Sequence, residues 1–191
     1  MNLTKNQKSI LLNLAKESIK SEFNKEINID FPKFELAHKK RGCFVTIYKE
    51  NQLRGCIGNI VPKKELFKSI IENAKKSAFN DPRFPNLREN EIKSLRLEIS
   101  ILSEPKEIFY GNKDEILVNI TPLKDGIIIK KGYNSATYLP QVWKHFYDES
   151  NKSYNKKEFL NQLCQKANLN KEDWKKHNVT ILKYSATVFS E

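Results

Sequence analysis

Arg54 and Cys56 stand two residues apart in LRGCIGNI (Leu53 to Ile60), a run patterned as a strand but interrupted by two glycines. Side chains alternate along a strand, so Arg54, Cys56 and Gly58 are expected on one face and Leu53, Gly55 and Ile57 on the other. Glycine at 58 leaves room above the thiol. Arg54 brings a cation toward it, favouring thiolate over a reference pKa of about 8.5. Thiolate is the nucleophilic form, which makes Cys56 the candidate catalytic residue and Arg54 and Gly58 candidate ligand-binding residues. The same residues admit a second reading: Cys56 is a small buried apolar group, as free cysteines usually are, and the glycines let a neighbouring strand or helix approach closely.

Arg83 follows the turn-forming pair Asp81-Pro82 and is expected to fold back toward the sheet. Glu98 lies with Ser100 on the polar face of LRLEISIL and needs a basic partner if buried. Arg54 and Arg83 are the natural candidates, which gives either a preorganised polar network beside Cys56 or an ion pair that only fixes structure. Thr137 and Gln141 flank Pro140, which is placed to start a helix whose N-terminal amides would bind an anion. The plainer role of that proline is to begin the helix.

Other chemistries find little support. Cys43, Cys56 and Cys164 form no Cys-x-x-Cys pair, and no histidine has zinc-ligand spacing, so no metal or cofactor is expected. His38, His145 and His177 are not placed to complete a cysteine pair. No Ser-His-Asp signature, phosphate loop or dinucleotide motif is present.

The elements that must position these residues can be read from periodicity. Thr4 and Gln7 form a capping-box pattern before Ile10, Leu11, Leu14, Ile19 and Phe23, predicting a first helix that ends near Asn24. GCFVTIYKENQLRGCIGNI reads as a hairpin turning at Glu50-Asn51-Gln52. Pro62 is expected to open a helix running from about Lys63 to Phe79 with Leu66, Ile70 and Ala74 buried. LRLEISIL alternates Leu95, Leu97, Ile99 and Ile101 against polar residues, as a strand does.

The second half repeats this order loosely. A hairpin in GIIIKKGYNSATYLP turns at Gly132 and Asn134, helices follow in QVWKHFY and KEFLNQLCQKA, and VTILKYSATVF supplies one or two last strands. The pattern predicts an α+β fold with a mainly antiparallel sheet, packed helices and loosely repeated hairpin-helix-strand units.

The chain of 191 residues carries a net charge of +11, but only five of its 34 basic residues are arginines. Readers of bases and phosphates favour arginine's fork. Lysines scattered singly and in pairs read as a solvated surface, with no specific nucleic-acid partner. Neither a signal peptide nor a run of about 18 apolar residues is present, so a cytoplasmic protein with reduced thiols and no membrane association is expected.

Five segments in order resemble the AMMECR-one family: LRGCIG, DPRFPNL leading into LEISIL, DGIIIKKGYNSATYLPQVW, FLNQLCQKANL and the terminal FSE. Departures are mild. Asn86 stands where the family usually has a second proline, Tyr138 where Phe is common, and Asn168 where Gly usually ends a helix, a position asparagine also tolerates. The resemblance implies one such domain over residues 1–191, with a larger and a smaller part and the LRGCIG segment facing a cleft between them. Microbial members are encoded with, or fused to, Memo-like and radical-SAM proteins. Two functions are therefore expected as alternatives. One is a cleft at LRGCIG that binds a small anionic or polar ligand and performs chemistry on it if enzymatic. The other is an interaction module for Memo-like or radical-SAM partners, with the motif purely structural.

Overall fold

The computed structural model describes residues 3–109 and 111–191. The chain forms two compact units, the larger made of residues 1–104 with 187–191 and the smaller of 105–186.

The larger unit begins with α1 (Lys5–Lys20), capped by the reciprocal Thr4–Gln7 bonds of 3.0 and 3.2 Å. The helix stops at Lys20, four residues before the expected Asn24; the carbonyl of Lys20 takes the amides of Phe23 and Asn24 in a closing turn, and Phe23 packs edge-on against Phe79. After the short α2 (Glu35–His38), β1 (Cys43–Lys49) and β2 (Gln52–Asn59) form the hairpin. Its turn is the two-residue Glu50-Asn51, both at positive φ, and Gln52 already pairs with Lys49. Two left-handed central residues define the hairpin turn whose twist matches that of the strands.

Helix α3 (Leu66–Phe79) follows, beginning three residues later than predicted and not opened by Pro62. Residues Lys40 and Glu65 form an isolated bridge, and Leu66 N–H donates to Lys39 O, so the backbone before Leu66 is held in extended pairing that a helical turn would break. β3 (Leu95–Leu102) then pairs antiparallel with β1. Helices α1 and α3 bury Leu11, Ile19, Leu66, Ile70 and Ala74 in one core with Val45, Ile47, Leu97 and Ile99. Each Leu, Ile or Val among them is worth roughly 1.5–3 kcal/mol on burial. The predicted antiparallel sheet of three strands under this helix is present.

The smaller unit contains β4 (Lys106–Glu107), α4 (Lys113–Asn119), β5 (Gly126–Lys131), β6 (Asn134–Tyr138), β7 (Tyr147–Asp148), β8 (Ser153–Tyr154), α5 (Lys156–Lys166) and β9 (Thr180–Tyr184). Its sheet order, β4-β9-β5-β6, repeats the logic of the first sheet, in which β10 (Ala186–Ser190) completes the order β10-β3-β1-β2. In each, the strand after the helix pairs antiparallel with the first strand of the hairpin. The second hairpin turns at Gly132-Tyr133, and Asn134, expected in the turn, is already paired with Lys131. Trp143 stacks on Phe159 at 3.6 Å in the core of this unit.

QVWKHFY is helical as expected, in a 3₁₀ segment, Pro140–Phe146. Pro140, Trp143 and Phe146 are its buried residues. A three-residue apolar period suits three residues per turn. At α5, Asn168 takes φ 55° and the amides of Leu169 and Asn168 return to Cys164 O and Gln165 O, the Schellman arrangement that a glycine would otherwise supply.

β10 brings the chain back to the larger unit. Glu191 N–H donates to Leu97 O at 3.2 Å, its Oε2 accepts from Leu97 N–H at 3.1 Å, and its Oε1 pairs with Lys16 Nζ at 2.8 Å.

Candidate functional site

A stripe of buried polar residues, Asn73, Ser77 and Asp81, recurs every four positions along α3 and just past its end. Spacing of four puts them on one face, and that face lies along the β1–β2 seam. Asn73 Nδ2 donates to Cys43 O at 3.0 Å and Asn59 Oδ1 at 2.9 Å. Ser77 Oγ accepts from Ile57 N–H at 2.8 Å and donates to Val45 O at 2.7 Å, inserting a hydroxyl between paired strands. Asp81 Oδ2 accepts from Cys56 N–H at 2.8 Å. Sequence reasoning did not find this stripe, though polar residues at a four-residue period within the buried face of an amphipathic helix were its signal.

Both glycines of the motif serve close packing. A Cβ at Gly55 would stand 2.1 Å from Ser77 O, so the helix backbone rests directly on the strand there. At Gly58 the Phe44 ring lies across the position, 2.2 Å from where a Cβ would be. The room expected above the thiol at Gly58 is thus filled by Phe44.

The strict alternation expected of the motif is broken by a bulge: Ile47 pairs with Gly55 but Tyr48 with Leu53, leaving Arg54 as the extra residue. Bulges re-aim side chains. Arg54 donates to Glu91 through Nε (3.3 Å) and Nη2 (3.1 Å), to Pro85 O at 2.9 Å and to Asn86 O at 3.4 Å. Lys49 also reaches Glu91, at 3.1 Å. Arg54 thereby ties the loop 85–91 to the hairpin and is not the partner of Glu98.

Glu91 is held at about 2, first by the Arg54 guanidinium, with the Arg88 amide and Lys49 adding to it against the opposing effect of burial. A carboxylate whose folded pKa lies below its unfolded one contributes stability above about pH 4.5 and loses it as pH falls toward 2. The urea-unfolding free energy of the wild type is expected to fall across that window, by up to about 3 kcal/mol on account of Glu91. Glu91→Gln should be less stable at pH 7 and show a shallower fall; an unchanged slope refutes the assignment.

Arg83 is the cation placed on Cys56. Its Nε and Nη2 form a fork on Asp81 at 2.9 and 2.7 Å, and Nη2 also donates to Cys56 O at 3.2 Å. The Asp81 carboxyl is held well below the usual carboxylate range, chiefly by Arg83, with the Cys56 and Arg83 amides adding to it against the cost of burial. Asp81 is almost wholly buried, whereas the Arg83 side chain is 55% exposed. A fixed anchor therefore presents a solvent-accessible guanidinium.

Across the strands from Cys56, Thr46 Oγ donates to its Sγ at 3.3 Å, Tyr48 OH reaches Glu98 Oε1 at 3.5 Å, and the Arg96 guanidinium lies 4.2 Å from the centre of the Tyr48 ring. Burial, and then the Glu98 carboxylate, push the Tyr48 phenol up, so it remains a neutral donor at physiological pH. The predicted network of Arg54, Arg83 and Glu98 is replaced by three separate pairings: Arg54 with Glu91, Arg83 with Asp81 and Glu98 with Tyr48. Thr46, Tyr48, Asp81 and Glu91 are the residues that sequence reasoning did not place here.

A model of the AMMECR1 family matches residues 12–189, spanning both units. The chain belongs to the AMMECR1 family. Among its relatives, protein TV1384 of Thermoplasma volcanium is 37% identical over 193 residues, covering all of this chain and 92% of the relative. Protein MK0488 of Methanopyrus kandleri is 35% identical, covering 99% and 90%. Among solved structures, the uncharacterized protein PH0010 from Pyrococcus horikoshii superposes with a TM-score of 0.79 at 33% identity, over 95% of this chain and 89% of that one.

Two further AMMECR1 candidates, Thr137 and Gln141, lie in the smaller unit. Thr137 Oγ bonds Ile127 O at 2.8 Å and Tyr184 OH at 2.9 Å, internal contacts that occupy it. Gln141 is exposed on the short 3₁₀ segment, which offers no α-helical N-terminus for an anion. Among the described residues no group of three or more His, Cys, Asp or Glu is placed to hold a metal ion, and no helix is long and apolar enough to cross a membrane.

Proposed function

We propose that the outer face of the first sheet around Cys56 binds a small polar or anionic ligand, with Arg83 as the anion-binding group and Cys56 as the residue for any covalent chemistry. The observation that carries this is the clamp of Asp81 on Arg83, which fixes an exposed cation beside Cys56. A preorganised guanidinium loses little freedom on meeting a carboxylate or phosphate. Thr46, Tyr48 and Glu98 add neighbouring hydrogen-bonding groups.

Alkylation in the folded protein tests the reading. Cys43 and Cys164 are fully buried, and burial pushes the Cys43 thiol up to about 12, so its thiolate fraction at pH 8 is on the order of 10⁻⁴. Half-buried Cys56 is expected to be modified first. Arg83→Ala should slow modification by iodoacetate, an anion, several-fold more than modification by neutral iodoacetamide. Arg54→Lys should leave that ratio unchanged, because position 54 serves Glu91. If Cys56 resists both reagents until the protein unfolds, the motif is structural, and the module for Memo-like or radical-SAM partners becomes the better reading.

A further inference from the structure

A cavity of about 510 Å³ opens between the end of β2 and α3. It is lined by none of Cys56, Thr46 and Arg83, so it stands apart from the site described above. On the helix side, Ser69 and Asn73 face it one turn apart, and they are only 3% and 5% exposed. Asn73 Nδ2 is committed to Cys43 and Asn59, but its Oδ1 accepts from none of the described residues. The Ser69 hydroxyl likewise has no partner among the described residues, and neither oxygen is sealed away from the cavity. Two acceptor oxygens on adjacent turns, both opening on one cavity, can take hydrogen bonds from a molecule bound there.

The strand side contributes backbone. β2 is the edge of its sheet, and the N–H and C=O of Cys56 point away from β1, where Asp81 and Arg83 take them. Peptide orientation repeats every second residue, so Gly58 presents its N–H and C=O outward as well, here to the cavity. The Phe44 ring occupies the space where a Gly58 side chain would lie, and Gly58 itself lines the cavity.

Charge sets the sign of the occupant. Lys63, Lys64 and Lys76 rim the cavity against the single carboxylate of Glu72. Glu72 pairs with Lys64 at 2.5 Å and Lys76 at 2.7 Å, and Lys63 has no carboxylate partner among the described residues. The rim is therefore cationic, while Ile57, Ile60 and Val61 supply an apolar wall. A volume in this range suits a small organic ligand.

We infer that this cavity is a binding site for a small organic acid that carries a hydroxyl: carboxylate toward the lysine rim and the Gly58 amide, hydroxyl toward Asn73 Oδ1 and Ser69, apolar body on Ile57 and Ile60. The test is a ¹H–¹⁵N NMR titration of the whole chain with 3-hydroxybenzoate, using 3-hydroxybenzyl alcohol as the uncharged counterpart. Saturable shifts are expected at the Gly58 amide and the Asn73 side-chain amide, with the alcohol binding at least about five-fold more weakly. Lys63→Glu, at an exposed position, should weaken 3-hydroxybenzoate at least about five-fold with the rest of the spectrum unchanged. Ser69→Leu should fill the cavity and abolish the shifts. Absence of saturable shifts at Gly58 and Asn73, or binding indifferent to Lys63→Glu, overturns the inference. Because Cys56 is not part of the cavity, alkylation of Cys56 is expected to be the same with and without Lys63→Glu, so this inference and the proposed function can fail separately.

Discussion

Gly55→Ala is expected to destabilise the protein by about 3 kcal/mol, lowering its melting temperature by roughly 6–12 °C, and Gly55→Val to abolish cooperative folding of the larger unit. The methyl would be built 2.1 Å from Ser77 O. That oxygen is helix backbone and can retreat only if α3 lifts from the hairpin. Lifting α3 also withdraws the Ser77 hydroxyl from Val45 and Ile57 and Asn73 from Cys43, so several hydrogen bonds fail with the packing. Ser77→Ala should not rescue Gly55→Ala, because the clash is with a carbonyl and not with the hydroxyl. Circular dichroism melts of the three variants check this, and a Gly55→Ala protein as stable as wild type would mean the helix does not rest on the strand there.

Asp81→Ala is expected to cost about 2–3 kcal/mol and to weaken the preference for an anionic alkylating agent at Cys56. The carboxylate accepts four hydrogen bonds: from Cys56 N–H and from Arg83 N–H, Nε and Nη2. Removing it strands the Cys56 amide and frees the Arg83 side chain to wander. Most of the stability cost falls on the stranded Cys56 amide, since the exposed guanidinium can turn to water. Asp81→Asn keeps one carbonyl acceptor but brings an NH₂ against donors, and should fall between alanine and wild type. Denaturant melts and the iodoacetate-to-iodoacetamide ratio are measured together. Loss of stability with an unchanged ratio would leave Asp81 a structural residue with no part in anion attraction.

The parts of the fold that were legible in sequence are those governed by local or periodic rules. Leu95, Leu97, Ile99 and Ile101 alternate because one sheet face is buried, and Thr4 with Gln7 caps α1 through neighbours in the chain. The site was legible only as a place. Cys56 and Arg83 do meet, held together by Asp81, a contact 25 residues from Cys56 that no local pattern encodes. The destination of Arg54 depended on a bulge, and a single inserted residue reverses the face assignment that alternation supplies. Pro62 failed as a helix start because a distant segment, Lys39–Lys40, claimed the backbone first.

The return of β10 to the first sheet bears on how the chain is made. The smaller unit, residues 105–186, is contiguous, whereas the larger one needs both 1–104 and 187–191. Synthesis runs from the N-terminus, so β3 waits with an unpaired edge while more than eighty residues of the smaller unit emerge and fold. Only when Thr187–Glu191 clears the ribosome can that edge close and Glu191 take its bonds with Leu97 and Lys16. Until then the nascent larger unit exposes a strand edge that other chains can pair with, which makes this the interval in which chaperone protection has most to offer.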